Sequence, residues 1–243
     1  MKQNIVFPLL LLTITLFTSC RKDRFIQTGE GPSVFETRTI DHFQKLDLSL
    51  AADVEIIVDS NPRIEIYAQQ NIIDLMETKV KQNTLVIKLK NHTSIRRYNP
   101  ISIKVYTANI SDIYLNGSGS IACKNFTEIE RMDLTVNGSG KINMYANVLQ
   151  HANVSINGSG DVYLKSNKLC QYGNFDISGS GKIMAYPFQI NEIDASISGS
   201  GTMEVYCSEV LNGSISGSGK IYYKGNCQTN VKISGSGRIE TRN

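Results

Sequence analysis

Apolar and polar residues alternate along most of this chain, and from residue 111 onward the alternation is organised around a repeated triplet. Gly-Ser-Gly occurs seven times, at 117–119, 138–140, 158–160, 179–181, 199–201, 217–219 and 235–237. With the second glycine as position zero, positions −6, −4, +2 and +4 are mostly apolar and the positions between them are mostly polar. This period of two predicts two strands joined by a glycine corner in every repeat.

The apolar positions form columns that favour a solenoid over an array of hairpins. Position −4 holds Leu115, Val136, Ile156, Ile177, Ile197, Ile215 and Ile233, and position +2 holds Ile121, Ile142, Val162, Ile183, Met203, Ile221 and Ile239. The triplets begin 18 to 21 residues apart, and each unit also has a variable third side with one or two apolar residues, such as Phe188 and Ile190. Units this small must stack to bury a core. We predict an all-β, single-stranded parallel β-helix, wound right-handed, with about seven coils over residues 111–243.

The repeated polar residues are interpreted as structural. The glycines are expected to shape the turns, because glycine adopts a positive φ without strain; they are Gly117, Gly119, Gly138, Gly140, Gly158, Gly160, Gly179, Gly181, Gly199, Gly201, Gly217, Gly219, Gly235 and Gly237. Position −3 reads Asn116, Asn137, Asn157, Ser178, Ser198, Ser216 and Ser234, a column expected to hydrogen-bond from coil to coil as amide ladders do. The triplet serines offer a second such column.

Residues 35–110 alternate without the triplet and are predicted to form an N-terminal β region continuous with the solenoid. Strands are expected at 46–50, 54–58, 64–67, 85–89 and 101–106, with one helical turn between Gln69 and Lys79. Antiparallel strands and irregular early coils both fit this pattern. The region is expected to cap one end of the stack, since an uncovered rung presents unpaired N–H and C=O groups. Charges at Arg238, Glu240 and Arg242 are expected to protect the other end.

The first residues have the pattern of an export signal. Lys2 precedes an apolar run from Ile5 to Phe17, and the small pair Thr18-Ser19 precedes Cys20. This predicts a lipoprotein signal peptide over 1–19 and lipidation at Cys20, with ordinary secretion as the alternative. Residues 20–34 are polar and glycine-containing and are predicted to form a tether. We therefore expect a membrane-anchored protein of the cell envelope, at the outer membrane.

Composition excludes several classes of function. The net charge is +3 and no basic arm accompanies it, so we expect no nucleic-acid partner. The cysteines lack metal-site spacing, and the aspartate that calcium-binding repeats need in every turn is present at one turn only, as Asp161, so no metal and no cofactor are expected. Cys207 and Cys227 are about one repeat apart, which leaves a disulfide between neighbouring coils open.

Outward positions beside the corner are the candidate binding residues. Positions +3 and +5 hold Tyr145, Tyr163, Tyr186, Tyr206 and Tyr222 together with Lys124, Lys165, Lys224 and Arg242. Regular stacking would align them into a stripe that suits a sugar or a protein surface. A purely structural use of these residues is the alternative. The carboxylate pair that best fits a glycosidase is Glu204 and Glu240, expected two coils and roughly 10 Å apart.

The lipobox, the alternating N-terminal region and the repeated aliphatic-x-Gly-Ser-Gly-x-Ile unit resemble the bacterial auto-transporter adhesin, head GIN domain family over roughly residues 35–240. The resemblance implies a β-helical protein of the cell envelope and carries over no catalytic residues. Our hypothesis is a lipid-anchored, non-catalytic, adhesin-like protein that binds a glycan or an envelope or matrix protein. A passive scaffold is the second hypothesis, and a β-helix enzyme that degrades polysaccharides is the third.

Overall fold

The chain is a β-solenoid, which confirms the predicted fold class. The structure, a computed structural model, describes residues 25–242, apart from the side chains of residues 125–127. Its N-terminal elements are β1 Phe25–Thr28, β2 Ser33–Thr39, β3 Lys45–Ser49, β4 Asp53–Val58, β5 Arg63–Gln69, α1 Gln70–Ile73, β6 Met76–Lys81, β7 Thr84–Leu89, β8 Thr93–Arg96 and β9 Ser102–Thr107. The repeats contribute β10 Asp112–Gly117, β11 Ser120–Gly138, β12 Lys141–Gly158, β13 Asp161–Lys165, β14 Cys170–Gly179, β15 Lys182–Gly199, β16 Thr202–Gly217, β17 Lys220–Lys224, β18 Gln228–Gly235 and β19 Arg238–Thr241.

Equivalent residues of successive repeats pair in parallel. Gly117 pairs with Gly138, Gly138 pairs with Gly158, and the same register continues to the end of the chain. The seven corners delimit about six turns. We call the strand segments that end at the first glycine of each triplet the pre-corner stack, and the segments that begin after the second glycine the post-corner stack. The right-handed winding stays a prediction.

The two glycines of a corner differ in backbone conformation. The first glycine has a positive φ in every triplet, for example +131° at Gly179, whereas the second glycine does not. The expectation of a positive φ is therefore confirmed for Gly179 and wrong for Gly181. A Cβ on Gly181 would instead lie 2.6 Å from the Gly160 carbonyl oxygen, because the corners stack directly on one another. The second glycine is needed for close approach. The first is needed for its backbone conformation and, from Gly138 onward, for close approach as well.

The core consists of the predicted columns. Position −4 is buried from Leu115 to Ile215 and position +2 from Ile121 to Ile221. The third side closes each coil with buried residues such as Val148 and Phe188. The columns become accessible only at the last rung, where the side chain of Ile233 is 42% exposed. Full burial of such side chains contributes about 1.5–3 kcal/mol each.

The N-terminal region adds two rungs out of sequence order and then a cap. β3 pairs in parallel with both β7 and β10, and β4 pairs in parallel with both β9 and β11. β2, β5 and β6 continue this end by antiparallel pairing, which confirms the predicted cap. Both alternatives left open by the sequence are therefore present, as parallel coils and as antiparallel strands. α1 is the expected helical turn.

Part of the predicted tether is ordered structure, which corrects its extent. Phe25 to Thr28 form β1 and pair in parallel with β8. The Asn71 side chain donates a hydrogen bond to the Thr28 carbonyl oxygen at 2.7 Å and accepts one from the Glu30 amide at 3.1 Å. The Gln69 side chain donates to the Gly31 carbonyl oxygen at 2.9 Å. These contacts fix the polar segment against the cap. The predicted signal peptide and Cys20 lie outside the described residues.

The amide column at position −3 is a ladder in its first three coils. Asn137 donates a side-chain hydrogen bond to Asn116 at 2.8 Å, and Asn157 donates to Asn137 at 3.0 Å. Within residues 25–242 the serines of the same column, and those of the triplets, make no such side-chain hydrogen bonds from coil to coil. Serine side chains do meet across a rung at position −5, where the Ser196 and Ser214 hydroxyl oxygens are 3.4 Å apart.

Candidate functional site

The five predicted tyrosines lie on the outer surface of the post-corner stack. Each is half-buried and lies beside position +4, which points toward the core. We call this surface the tyrosine face and define it by positions +1, +3 and +5 of the seven repeats. The structure thus places the stripe outside the solenoid as predicted, but it divides the stripe into two clusters.

The first cluster is formed by Tyr145, Tyr163 and Lys165. The two rings meet edge to face with centroids 5.8 Å apart, and the Lys165 ammonium lies 5.5 Å from the Tyr145 ring centroid. Lys165 is directly in register with Tyr145 on the next strand. Aromatic pairs and cation–π contacts of this kind each contribute about 0.5–1.5 kcal/mol. The cluster therefore holds two rings and one cation in a fixed relation at the surface.

The second cluster joins Tyr186, Tyr206 and Tyr222 to the basic residues of the last two rungs. The Lys224 ammonium lies 5.2 Å from the Tyr186 ring centroid and is in register with Tyr206. The guanidinium carbon of Arg242 lies 4.3 Å from the Tyr222 ring centroid.

Charge and burial shift the pKa values of two tyrosine hydroxyl groups in this cluster in opposite directions. The Arg238 guanidinium lowers the pKa of the Tyr222 hydroxyl, whereas burial and then the charge of Glu204 raise the pKa of Tyr186.

Tyr186 leaves the regular column, which corrects the expectation of even stacking. The register shifts after Ala185, so that Tyr206 pairs with Gln189 and not with Tyr186. Pro187 has no N–H to donate to the ladder, and proline within a sheet is found at such irregularities. Residues 166–169 and the bulge enclose a depression of about 200 Å³, with Tyr186 and Pro187 on its wall. The tyrosine face is therefore not flat, and we call this depression beside Tyr186 the notch.

Sequence reasoning missed a basic row at position +1 of the same face. It contains Lys141, Lys182, Lys220 and Arg238, with Asp161 between the first two. The side chains of Lys141 and Asp161 are 3.7 Å apart. The signal was present, because +1 has the same parity as +3 and +5 and therefore points outward as well.

The N-terminal strands extend this row with two exposed aromatic residues. Tyr67 pairs with Ser102, and through Asp53 and Ser120 the row continues to Lys141. Phe35 on the neighbouring strand is 80% exposed, and its ring centroid lies 4.5 Å from that of Tyr67. The irregular spacing of the N-terminal region concealed this continuity in the sequence.

The outer surface of the pre-corner stack is different in character. Its positions −3, −5 and −7 are mostly asparagine, serine, threonine and aspartate, and we call it the amide face. Hydrogen bonds also connect its −7 column, for example from Asn153 to Asp133 at 2.5 Å and from Asn212 to Asp194 at 3.2 Å. These polar groups are largely committed to one another.

The carboxylates considered for catalysis are not arranged as an acid–base pair. Glu204 and Glu240 are two rungs apart as predicted, but Tyr222 is in register between them. Glu240 is also paired with Arg238 at 2.5 Å and with Arg242 at 3.1 Å. Among the residues that the structure describes, no group of three histidine, cysteine or acidic side chains is placed to hold a metal ion. The same residues include no helix long and apolar enough to cross a membrane.

The two cysteines considered for a disulfide lie close together as free thiols. The Cys207 thiol is buried and donates a hydrogen bond to the Asn191 carbonyl oxygen at 3.3 Å, and the Cys227 thiol is half-buried. Burial, followed by the proximity of Cys227, raises the pKa of Cys207 to about 12. The pairing therefore remains an open prediction.

Comparison with known proteins gives a family and a fold. The family model described as "Putative auto-transporter adhesin, head GIN domain" matches residues 42–227. No curated protein matches the chain.

Several solved structures share the fold at low sequence identity. A putative adhesin from Bacteroides fragilis has a TM-score of 0.80 at 23% identity and covers 88% of this chain and 99% of its own. A putative lipid binding protein from Parabacteroides distasonis has a TM-score of 0.74 at 24% identity, with 90% and 100% covered. A putative adhesin from Parabacteroides merdae has a TM-score of 0.70 at 19% identity, again with 90% and 100% covered.

Proposed function

The chain belongs to the auto-transporter adhesin, head GIN domain family, and from this membership we propose that it binds an envelope or host polymer through the tyrosine face, without catalysis. The observation that carries the proposal is the row of half-buried tyrosines in contact with basic side chains along one side of the solenoid. It is an adhesin-like protein of the envelope, and the tyrosine face is the surface best suited to such a role.

The chemistry of the face favours binding. A tyrosine ring offers an apolar surface and a hydroxyl at low cost in conformational entropy. Tyr145, Tyr163 and Tyr222 are further restrained by ring or cation contacts. Parallel pairing holds the backbone of Tyr163 and Tyr222 on both sides and that of Tyr145 on one side, so little additional freedom would be lost on binding.

A lipid anchor at Cys20 would give this surface a defined orientation. Cys20 precedes Phe25 by only five residues, and Phe25 lies in β1 beside the N-terminal cap. An anchor there would hold the capped end near the membrane and leave the repeats farther away. Phe25 and Ile26 are 62% and 49% exposed, as residues near a lipid surface can be. Acyl chains on Cys20 would contribute about 0.8 kcal/mol per buried methylene.

An array of glycans and matrix proteins tests the binding role. The labelled protein is compared with a Tyr163→Ser, Tyr186→Ser and Tyr206→Ser triple variant. A Tyr114→Ser variant, altered on the amide face, is the control. We expect the triple variant to lose at least about tenfold in affinity, or about 1.4 kcal/mol, while the control keeps its binding. Equal binding by all three proteins, or no binding to any probe, would replace this proposal by the passive scaffold.

A further inference from the structure

The two outer surfaces of the solenoid differ in the sign of their charge. The tyrosine face carries eight basic residues against three acidic ones, an excess of five positive charges; the bases are Lys124, Lys141, Lys165, Lys182, Lys220, Lys224, Arg238 and Arg242. The amide face carries Asp112, Asp133, Asp176 and Asp194 against one base, Lys232. A chain with a net charge of only +3 thus has one distinctly basic side.

We propose that the tyrosine face binds an anionic polysaccharide. This inference rests on the proposed function and names the chemical class of its ligand. Tyrosine rings would stack on the apolar C–H surfaces of the sugar rings, and the basic side chains would pair with carboxylate or sulfate groups. Proteins that present both features in one row can distinguish a charged glycan from a neutral one.

The spacing of the basic residues supports an extended polymer. The first four coils each contribute one lysine, and these alternate between the two sides of the +3 column: Lys124, Lys141, Lys165 and Lys182. Neighbouring coils are about 4.8 Å apart, so lysines on one side recur every ~10 Å. This is close to the length of two sugar residues in an extended chain. Acidic groups that alternate in direction along such a chain would face successive lysines.

Three of the eight cations on the tyrosine face are oriented before a ligand arrives. Lys165, Lys224 and Arg242 each lie over a tyrosine ring, within 5.5 Å of its centroid. A cation placed on a ring keeps its other donors directed away from the surface. Recognition then needs little side-chain ordering, which is the main cost for a long lysine or arginine.

The notch beside Tyr186 would fix the position of one sugar residue. Its volume is 200 Å³, and it is lined by residues 166–169 with Tyr186, Pro187 and Gln189. The Lys168 ammonium stands at this loop, 3.6 Å from the Glu128 carboxylate. The walls therefore combine an aromatic ring, amide and hydroxyl groups and a cation, which are the groups that hold an acidic sugar.

The same surface is poorly suited to nucleic acid. A nucleic acid carries a phosphate at every residue, and its binding sites are tracks of uninterrupted positive charge. Here Asp161, Glu204 and Glu240 interrupt the basic residues. Glu240 lies between two arginines and neutralises part of their charge. A less densely charged polymer fits this pattern better.

Binding to polymers of defined charge tests the inference. The purified protein is titrated with alginate, chondroitin sulfate, neutral dextran and single-stranded poly(dT), in about 0.05 M and about 0.5 M salt. Lys182→Glu with Lys220→Glu reverses two charges on the tyrosine face. Lys81→Glu with Lys232→Glu, which reverses two exposed charges elsewhere, is the matched control. Circular dichroism confirms that both variants are folded.

We expect binding to alginate or chondroitin sulfate, with dextran at least about tenfold weaker, and a loss of about tenfold in the first variant and less than twofold in the control. Equal losses in both variants, or poly(dT) bound as tightly as the anionic glycans, would overturn the inference. Binding to dextran or to a matrix protein that depends on the tyrosines but not on Lys182 and Lys220 would also overturn it and leave the proposed function standing.

Discussion

Alanine substitutions at three corner glycines should separate two costs that any side chain would meet there. Gly117 has a φ of +129°, and an added Cβ would have nothing within 4 Å. Gly179 has a φ of +131°, and its Cβ would lie 2.3 Å from the Gly158 carbonyl oxygen. Gly181 lacks a positive φ, but its Cβ would lie 2.6 Å from the Gly160 carbonyl oxygen. The variants test backbone strain, strain with overlap, and overlap alone.

The magnitudes follow from these two terms. A residue other than glycine in a sparsely populated backbone region costs about 1–3 kcal/mol, which is the expected loss of stability for Gly117→Ala. Overpacking adds about 1–3 kcal/mol, which is the expected loss for Gly181→Ala. The Gly158 oxygen cannot withdraw easily, because it accepts a hydrogen bond from the Ser180 amide at 2.8 Å. Gly179→Ala should therefore lose about 2–6 kcal/mol, the sum of both terms.

Urea denaturation followed by circular dichroism measures all three losses. Ser180→Ala is the control in the same corner, since Ser180 is exposed and its loss should stay within about 0.5 kcal/mol. Equal losses at Gly117 and Gly179 would refute the steric part of the reasoning. A Gly117→Ala variant as stable as the parent protein would refute the part that rests on backbone strain.

Three further predictions concern single contacts. Asn137→Ala should lower the stability measured by urea denaturation by about 0.5–1.5 kcal/mol, because it removes the middle of the amide ladder. Ser216→Ala in the same column should change stability by less than about 0.5 kcal/mol. Equal effects of the two substitutions would contradict a ladder. Burial raises the pKa of Asp176, so ionisation of its carboxyl group opposes folding, and Asp176→Asn should raise the melting temperature at neutral pH. The gain should vanish below about pH 4, where aspartate is protonated in both the folded and the unfolded state. A gain that persists at that pH would contradict this cause. Oxidised glutathione should join Cys207 to Cys227, releasing two reduced glutathiones and adding about 3 kcal/mol of stability; peptide mass spectrometry that finds only mixed disulfides would exclude the pairing.

The repeats were predictable because the same pattern of inward and outward positions recurs in seven successive units of the sequence. Alternation around Gly-Ser-Gly identified the inward columns from Leu115 to Ile215 and the outward tyrosines, since side-chain direction in a strand depends only on parity. The family and the fold class followed from the same pattern. The same parity places the basic row at +1 on the outer surface, but this row contains no aromatic residue that would mark it in the sequence.

What the sequence concealed lies where the period breaks. The displacement of Tyr186 depends on Pro187 and on how many residues the third side holds, and a bulge leaves no mark in an alternation pattern. β1 lies within a polar segment, and its pairing with β8 is nearly 70 residues away along the chain. Long-range pairing of this kind is set by tertiary structure and not by local preference.

β3 and β4 form a rung that pairs on both sides with strands that come later in the chain, and this arrangement affects the order of folding. Leu48 must wait for partners 39 and 67 residues farther along the chain, whereas every later coil pairs with one 18 to 21 residues away. Closing the longer loops is the slower event. The repeats are therefore expected to pair first, and the N-terminal rungs to close afterwards on a stack that already exists. A fault in the N-terminal region would then leave the repeats paired but one end of the stack uncovered.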